Sequence, residues 1–196
     1  IEKYTFNRAS AININSPGFK DYFMKYNYGV NAKFHYNTNG IDEIFLENKP
    51  VHRIHKNKLK KRIVYAGNIG SSQDLDKTLP IALEILGKNY ELHLYGDGAR
   101  KNKLIKEIKK NDCTNIFIHN PVERHKLNDI YNDADILFFQ LSKLDAFLRV
   151  IPSKLFEYSA FNKPIVAVVD GYCKEFIKSN LEGVFIANPE DINQIV

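Results

Sequence analysis

Cysteine is scarce in this chain of 196 residues: there are two, Cys113 and Cys173, far apart and without a CxxC or CxxH context. That pattern argues against a disulfide framework and against a zinc site, and it fits a reducing compartment. Long apolar runs are missing as well. The longest, at 165–169 and 136–139, fall far short of the ~18–20 residues that a membrane-spanning helix requires. The opening IEKYTFNRAS is too polar for a secretory leader. These absences lead to the expectation of a soluble cytoplasmic protein. The net charge is +5, concentrated in KNKLKKR at 56–62. That run has no interleaved aromatics, and the chain has no helix-turn-helix, zinc-finger or RNA-recognition pattern, so nucleic acid is not the expected partner. A solvated linker and a docking strip for an anionic surface both account for the basic run.

What is present is a regular alternation. KRIVYAG (61–67) is an apolar strand ending in glycine, and 75–86 carries apolar residues at helical spacing up to Gly87. Strands at 90–96, 115–120, 134–140, 164–169 and 183–187 alternate with helices at 104–110, 125–132, 152–162 and 172–179. Strand–helix units with near-continuous apolar strands predict an α/β fold, a doubly wound parallel sheet. The first 46 residues form a separate piece: a strand at 11–15, a helix opening at Ser16-Pro17, a strand at 32–36 and a turn at Asn39-Gly40. Residues 47–61, charged and poor in apolar side chains, are expected to link it to a second unit at 62–196. The chain stops in DINQIV, which reads as a helix opening, so a fragment of a longer protein is expected.

In open parallel sheets, ligands lie beyond the carboxyl ends of the strands, where backbone N–H groups meet anions. GNIGSSQ (67–73) follows the first strand of the second unit and suits a phosphate, although a plain loop explains it equally. GDGARKNKL (96–104) is a second glycine turn. IPSKLFEYSAFNKPIVA (151–167) places Pro152, Ser153 and Lys154 at a helix start and Glu157 one turn further on. A diphosphate at that start and ribose hydroxyls on the carboxylate would together describe a nucleoside diphosphate. An ordinary capped helix with a surface glutamate is the alternative. Three lookalikes carry less: DAD (133–135) as strand punctuation, His52 and His55 as a chance pair without a third metal ligand, and Tyr22, Phe23, Tyr26 and Tyr28 as a packed face.

The order NGID, strand–GNIG–helix, strand–GDG, strand–NPVERHKL, DADILFF and PSKLFEY-x-A-x-x-KPIVA resembles the retaining glycosyltransferases of family 4. The resemblance runs from about residue 9 to the end. It implies the GT-B architecture of two facing Rossmann-like domains, with 1–46 the tail of the acceptor domain and 62–196 the donor domain, truncated at its C-terminus. The PSK-x-x-EY variant is most similar to the branch transferring amino sugars in capsule and O-antigen assembly. By that resemblance Glu157 binds ribose, and Gly67, Asn68, Gly70, Ser71 and Gln73 form the loop at the donor phosphates. Asn120, Pro121 and Val122 contact the base, with Pro152, Ser153 and Lys154 at the diphosphate.

Two departures stand out. The family's usual Arg and Lys in the first loop are Asn68 and Gln73 here, and its usual Glu eight residues before the ribose Glu is Arg149. The expectation is therefore that Arg149 and Lys154 take over as the catalytic cations, since a departing diphosphate needs positive charge. The implied partners are a nucleoside diphosphate sugar, UDP-linked, and a glycan or lipid-linked acceptor, with peripheral contact at the inner membrane face and no metal or other cofactor. A UDP-sugar 2-epimerase on the same scaffold and a non-catalytic nucleotide-binding module are the rivals.

Overall fold

The computed structural model describes residues 1–47 and 59–196. Most of the expected linker, with His52, His55, Lys56 and Lys58, lies outside the described residues. The chain begins with a short helix α1 (Glu2–Phe6), then β1 (Ala11–Ile14), a 3-10 turn (Pro17–Phe19), α2 (Lys20–Lys25) and β2 (Lys33–Tyr36). β1 and β2 pair in parallel, with Ala11 opposite Lys33. Ser16 opens the turn as anticipated, its hydroxyl accepting the Gly18 N–H at 3.3 Å. Phe23 is buried against the rings of Phe6 and Phe34, at 4.8 and 5.2 Å between centroids. Of the expected packed face Phe23 is buried and Tyr22 and Tyr28 are half-buried, while Tyr26 is exposed.

A six-stranded, all-parallel sheet follows in the order β5-β4-β3-β6-β7-β8. Its strands are β3 (Lys61–Ala66), β4 (Tyr90–Tyr95), β5 (Ile116–His119), β6 (Ile136–Gln140), β7 (Ile165–Val168) and β8 (Val184–Ala187). Between them run α4 (Leu75–Leu86), α5 (Lys101–Lys110), α6 (Lys126–Asp133), α7 (Ser153–Ser159) and α8 (Tyr172–Asn180), and α9 (Ile192–Ile195) closes the chain. Successive strand residues point to opposite faces, so apolar runs supply two cores. Val64, Leu137, Phe139 and Ala167 pack under α6, α7 and α8. Tyr65, Leu92, Leu94 and Phe138 pack against Leu75, Leu79 and Leu83 of α4 and Leu104 of α5.

The doubly wound α/β expectation therefore holds, and the differences are local. α7 ends at Ser159 and not at 162, with Ala160 as its C-cap. α1 and a further short helix α3 (Glu43–Leu46) were not anticipated, since four or five residues show no period. α3 also packs with the large sheet: Phe45 is 1% exposed and meets Tyr131 and Phe161 at 5.9 and 6.0 Å. The Asn128 amide adds a hydrogen bond to the Ile44 carbonyl, 2.9 Å. In the described part of the basic run Lys60 pairs with Glu91 at 2.6 Å and Lys61 with Asp135 at 3.5 Å, while the Arg62 guanidinium donates to the Tyr95 hydroxyl.

Candidate functional site: the cleft at the strand-order switch

β3 and β6 are neighbours whose onward connections lead in opposite directions across the sheet, and a crevice opens at such a switch beyond the carboxyl ends. Here it is a cleft of about 450 Å³ walled by the turns after β3, β4 and β5 and by the first turn of α7. Two hydrogen bonds from the neighbouring turns pin its floor: Gly67 N–H to the Tyr95 carbonyl, 2.8 Å, and Ile69 N–H to the Asp97 carbonyl, 2.7 Å. These turns approach so closely that a Cβ at Gly96 would collide with the Gly67 carbonyl oxygen. α7 is locked to the same turn, because the buried Tyr158 hydroxyl accepts the Ala66 N–H at 3.2 Å.

Lys154 leans over this turn. Its ammonium fills the space that a side chain at Gly67 would take, and Gly67 has a φ of +144°, a backbone that disfavours any other residue. The same ammonium lies 5.3 Å from the Tyr65 ring centroid. It makes no ion pair or hydrogen bond with the described residues, and burial holds its pKa below the ordinary lysine value against the opposing pull of Glu157. A desolvated cation without an anion is the electrostatic signature of this cleft.

Glu157, 8% exposed, is one turn along the same helix. One carboxylate oxygen accepts from Arg124 Nη2 at 3.1 Å. The other accepts nothing from the described residues and is available to hydroxyl donors. Tyr131 borders the carboxylate, its phenol driven up by burial and by Glu157. On the opposite wall Tyr95 is held by a hydrogen bond from Arg62 Nη2, 2.7 Å, and by stacking on His119 at 4.3 Å. Behind it His93 pairs with His119 at 3.0 Å, and burial pushes the His93 pKa down to about 4.

The expected site residues divide accordingly. Gly67, Asn68, Pro121, Val122, Ser153, Lys154 and Glu157 line one cleft. Gly70, Ser71, Gln73, Asn120 and Pro152 stand outside its lining, and Gln73 plays a local part: its side-chain oxygen gathers the Gly70 N–H at 3.2 Å and the Ser72 hydroxyl at 3.2 Å. Pro152 is the N-cap of α7 and not its first residue. Arg149 is not brought to Lys154. Its guanidinium chelates Asp145 at 2.7 and 2.8 Å and lies 5.0 Å over the Tyr22 ring. It borders a second cleft with Asn13 and Asn15 at the end of β1. A short 3-10 helix (Phe147–Arg149) with a carboxylate four residues back keeps the arginine for itself, so the structure does not support the expectation that it joins Lys154 at the same phosphates.

Arg124, Tyr95 and Tyr131 were not anticipated. Arg124 was visible in NPVERHKL, but nothing in that string says which carboxylate it will meet. The DAD segment is strand punctuation: an Asp135 oxygen accepts the Arg62 N–H at 2.8 Å, and no cluster of three metal-ligating side chains occurs among the described residues.

This geometry, a nucleotide-sized cleft holding an unpaired cation and a half-paired carboxylate, can be set beside known proteins. A comparison with characterised protein sequences gave no match. Among solved structures, an S. aureus TarM variant in complex with fondaparinux, alpha-GlcNAc-glycerol and UDP superposes with a TM-score of 0.71 at 16% identity, covering 97% of this chain and 36% of that one. Anabaena HepE in complex with UDP and glucose gives 0.69 at 18% identity, covering 98% and 53%. The apo lipopolysaccharide outer core galactosyltransferase WaaB gives 0.64 at 17%, covering 94% and 50%. At these identities the likeness establishes the GT-B fold, and the chain spans a third to a half of those proteins. The family model described as glycosyl transferases group 1 matches residues 47–196, well over half the length, and to that family this chain belongs.

Proposed function

We propose that this chain is the donor-binding half of a family 4 glycosyltransferase, moving a sugar from a nucleoside diphosphate to a glycan or lipid-linked acceptor in cell-surface polysaccharide synthesis. The observation that carries this reading is the pairing of Lys154 and Glu157 in one cleft. One is a partly buried ammonium that makes no ion pair with the described residues, the other a buried carboxylate with one oxygen left open. A nucleoside diphosphate complements both, its phosphates at Lys154 and its ribose hydroxyls at Glu157. The Pro121–Val122 turn lies at the base end. UDP is the nucleotide expected, and UDP is the one named with TarM and HepE.

In the reaction, negative charge builds on the leaving diphosphate. A cation placed before the reaction stabilises that charge without reorganisation, and a desolvated site strengthens the effect. Lys154 supplies it, aided by the backbone of the Gly67 turn, so this reading calls on no metal. Transfer with retention would follow from the sugar being held against the diphosphate face. Residues 1–46 would then close the acceptor domain, and peripheral contact with a membrane carrying a lipid-linked acceptor goes with that reading.

The test is a calorimetric panel on this chain: UDP, UMP, uridine, GDP and ADP. UDP should bind most tightly and each lost phosphate should weaken binding. Equal affinity for uridine and UDP would overturn the assignment of Lys154 to the phosphates. Acceptor-dependent release of UDP by a protein containing both domains tests the transfer itself.

A further inference from the structure

Arg124 does more than neutralise Glu157. Its Nε donates to Asp42 Oδ2 at 2.5 Å while its Nη2 donates to Glu157 Oε1 at 3.1 Å. The guanidinium also lies 5.3 Å over the ring of Phe45. A planar fork of five donors can serve two carboxylates lying in different directions, which a lysine ammonium does with less geometric control. The arginine is half exposed, at 52%, whereas the Glu157 side chain is 10% exposed. The more exposed partner is therefore held from outside by Asp42 and Phe45, and it in turn holds the buried one.

Asp42 lies two residues after Asn39-Gly40, where the chain forms no regular turn, contrary to the sequence expectation; this stretch connects the β1–β2 unit to the large sheet. The same stretch is tied back beside α7, since the Asn39 amide donates to the Ile151 carbonyl at 3.3 Å. We propose that Arg124 is a positioning residue that links Asp42, at the junction of the two units, to the ligand-facing carboxylate of Glu157. With Oε1 committed to Arg124, Oε2 is turned to the cleft for a vicinal diol, and displacement of Asp42 disturbs that orientation. Sugar-diol recognition is thereby tied to the arrangement of the two units. The inference rests on the donor-site reading above and adds to it Arg124 in the cleft wall and Asp42 outside the cleft lining.

The experiment titrates UDP, 2′-deoxy-UDP and inorganic pyrophosphate into the full chain. The variants are Arg124→Ala, Arg124→Lys, Asp42→Asn, their Ala/Asn double and Glu157→Gln, each checked by thermal melt. Losing a charged hydrogen bond predicts a roughly tenfold weaker UDP for Arg124→Ala, and a smaller loss for Arg124→Lys. Asp42→Asn should weaken UDP by about threefold, since it acts only through the arginine. The double variant should be no weaker than Arg124→Ala, because the two residues act in series. 2′-Deoxy-UDP should lose less than UDP, and pyrophosphate should not change.

UDP affinity untouched by Asp42→Asn, additive losses in the double variant, or a matching loss for pyrophosphate would each overturn the link. If wild type fails to bind UDP, or Glu157→Gln leaves UDP unaffected, the donor-site reading fails and the link with it. A link that fails alone shows a Glu157 effect without an Asp42 effect. Should Arg124→Ala not fold, Asp42→Asn decides the matter, since Asp42 is 44% exposed.

Discussion

The ammonium of Lys154 stands where the side chain of residue 67 would be, and only because that residue is glycine. A helix start on one side of the cleft and a strand end on the other thus share a single volume. Gly67→Ala should expel the lysine and strain a backbone at φ +144°. The expected outcome is UDP affinity lowered by roughly tenfold, with uridine little changed, since a charged contact is what is lost. Calorimetry with both ligands checks it, and a parallel loss for uridine would indicate general collapse of the turn.

Glu157→Gln keeps the size of the side chain and removes its charge. Hydrogen bonds to charged groups contribute about 1.5–3 kcal/mol, so UDP binding should weaken within that range. The measurement is a titration of UDP and of pyrophosphate; pyrophosphate should not follow the loss.

Lys154 gives two pH trends of opposite sign. Its folded pKa is lowered by burial from the usual 10.5, so on raising pH the folded state sheds this proton before the unfolded chain does. Between the lowered value and 10.5 the unfolded state holds more protons, and stability from this group rises with pH. Phosphate binding needs the charged form, so UDP affinity should fall over the same window, starting below 10.5. Urea melts and UDP titrations across that range should diverge in wild type, and the divergence should vanish in Lys154→Met.

Tyr158→Phe removes the acceptor of the Ala66 N–H in a buried position. Leaving such a donor unsatisfied costs about 1–3 kcal/mol, and the urea midpoint should drop accordingly. Because the bond fixes the Gly67 turn to α7, UDP binding should weaken too. A stability loss without a binding loss would show that the turn holds its shape unaided.

Arg149→Ala should leave UDP affinity within about twofold of wild type, since its guanidinium is committed to Asp145 and Tyr22. Calorimetry on that variant decides whether the relocated-cation idea keeps any part of Arg149.

Alternation of apolar strands and helical periods makes the doubly wound sheet legible in the chain itself, because burial on both faces writes itself into composition. Glu157 and Lys154 were legible for a similar reason: three residues apart, they share one side of a helix wherever that helix goes. Two short helices were not, since α1 and α3 are held by tertiary packing, Phe45 on Tyr131 and Phe161 in the case of α3. Arg124 and Arg149 show the limit best. Arg124 sits in the turn before α6 and Arg149 ends a short 3-10 helix; both have carboxylates in reach, and their chemical types are equal. The chain alone determined the sheet, the helix that carries the lysine and glutamate, and the glycine that admits the lysine. Only the folded structure decided that Arg124 meets Glu157 while Arg149 turns to Asp145. That ion pair depends on where a turn and a helix 33 residues apart in sequence arrive in space, and no local period encodes that.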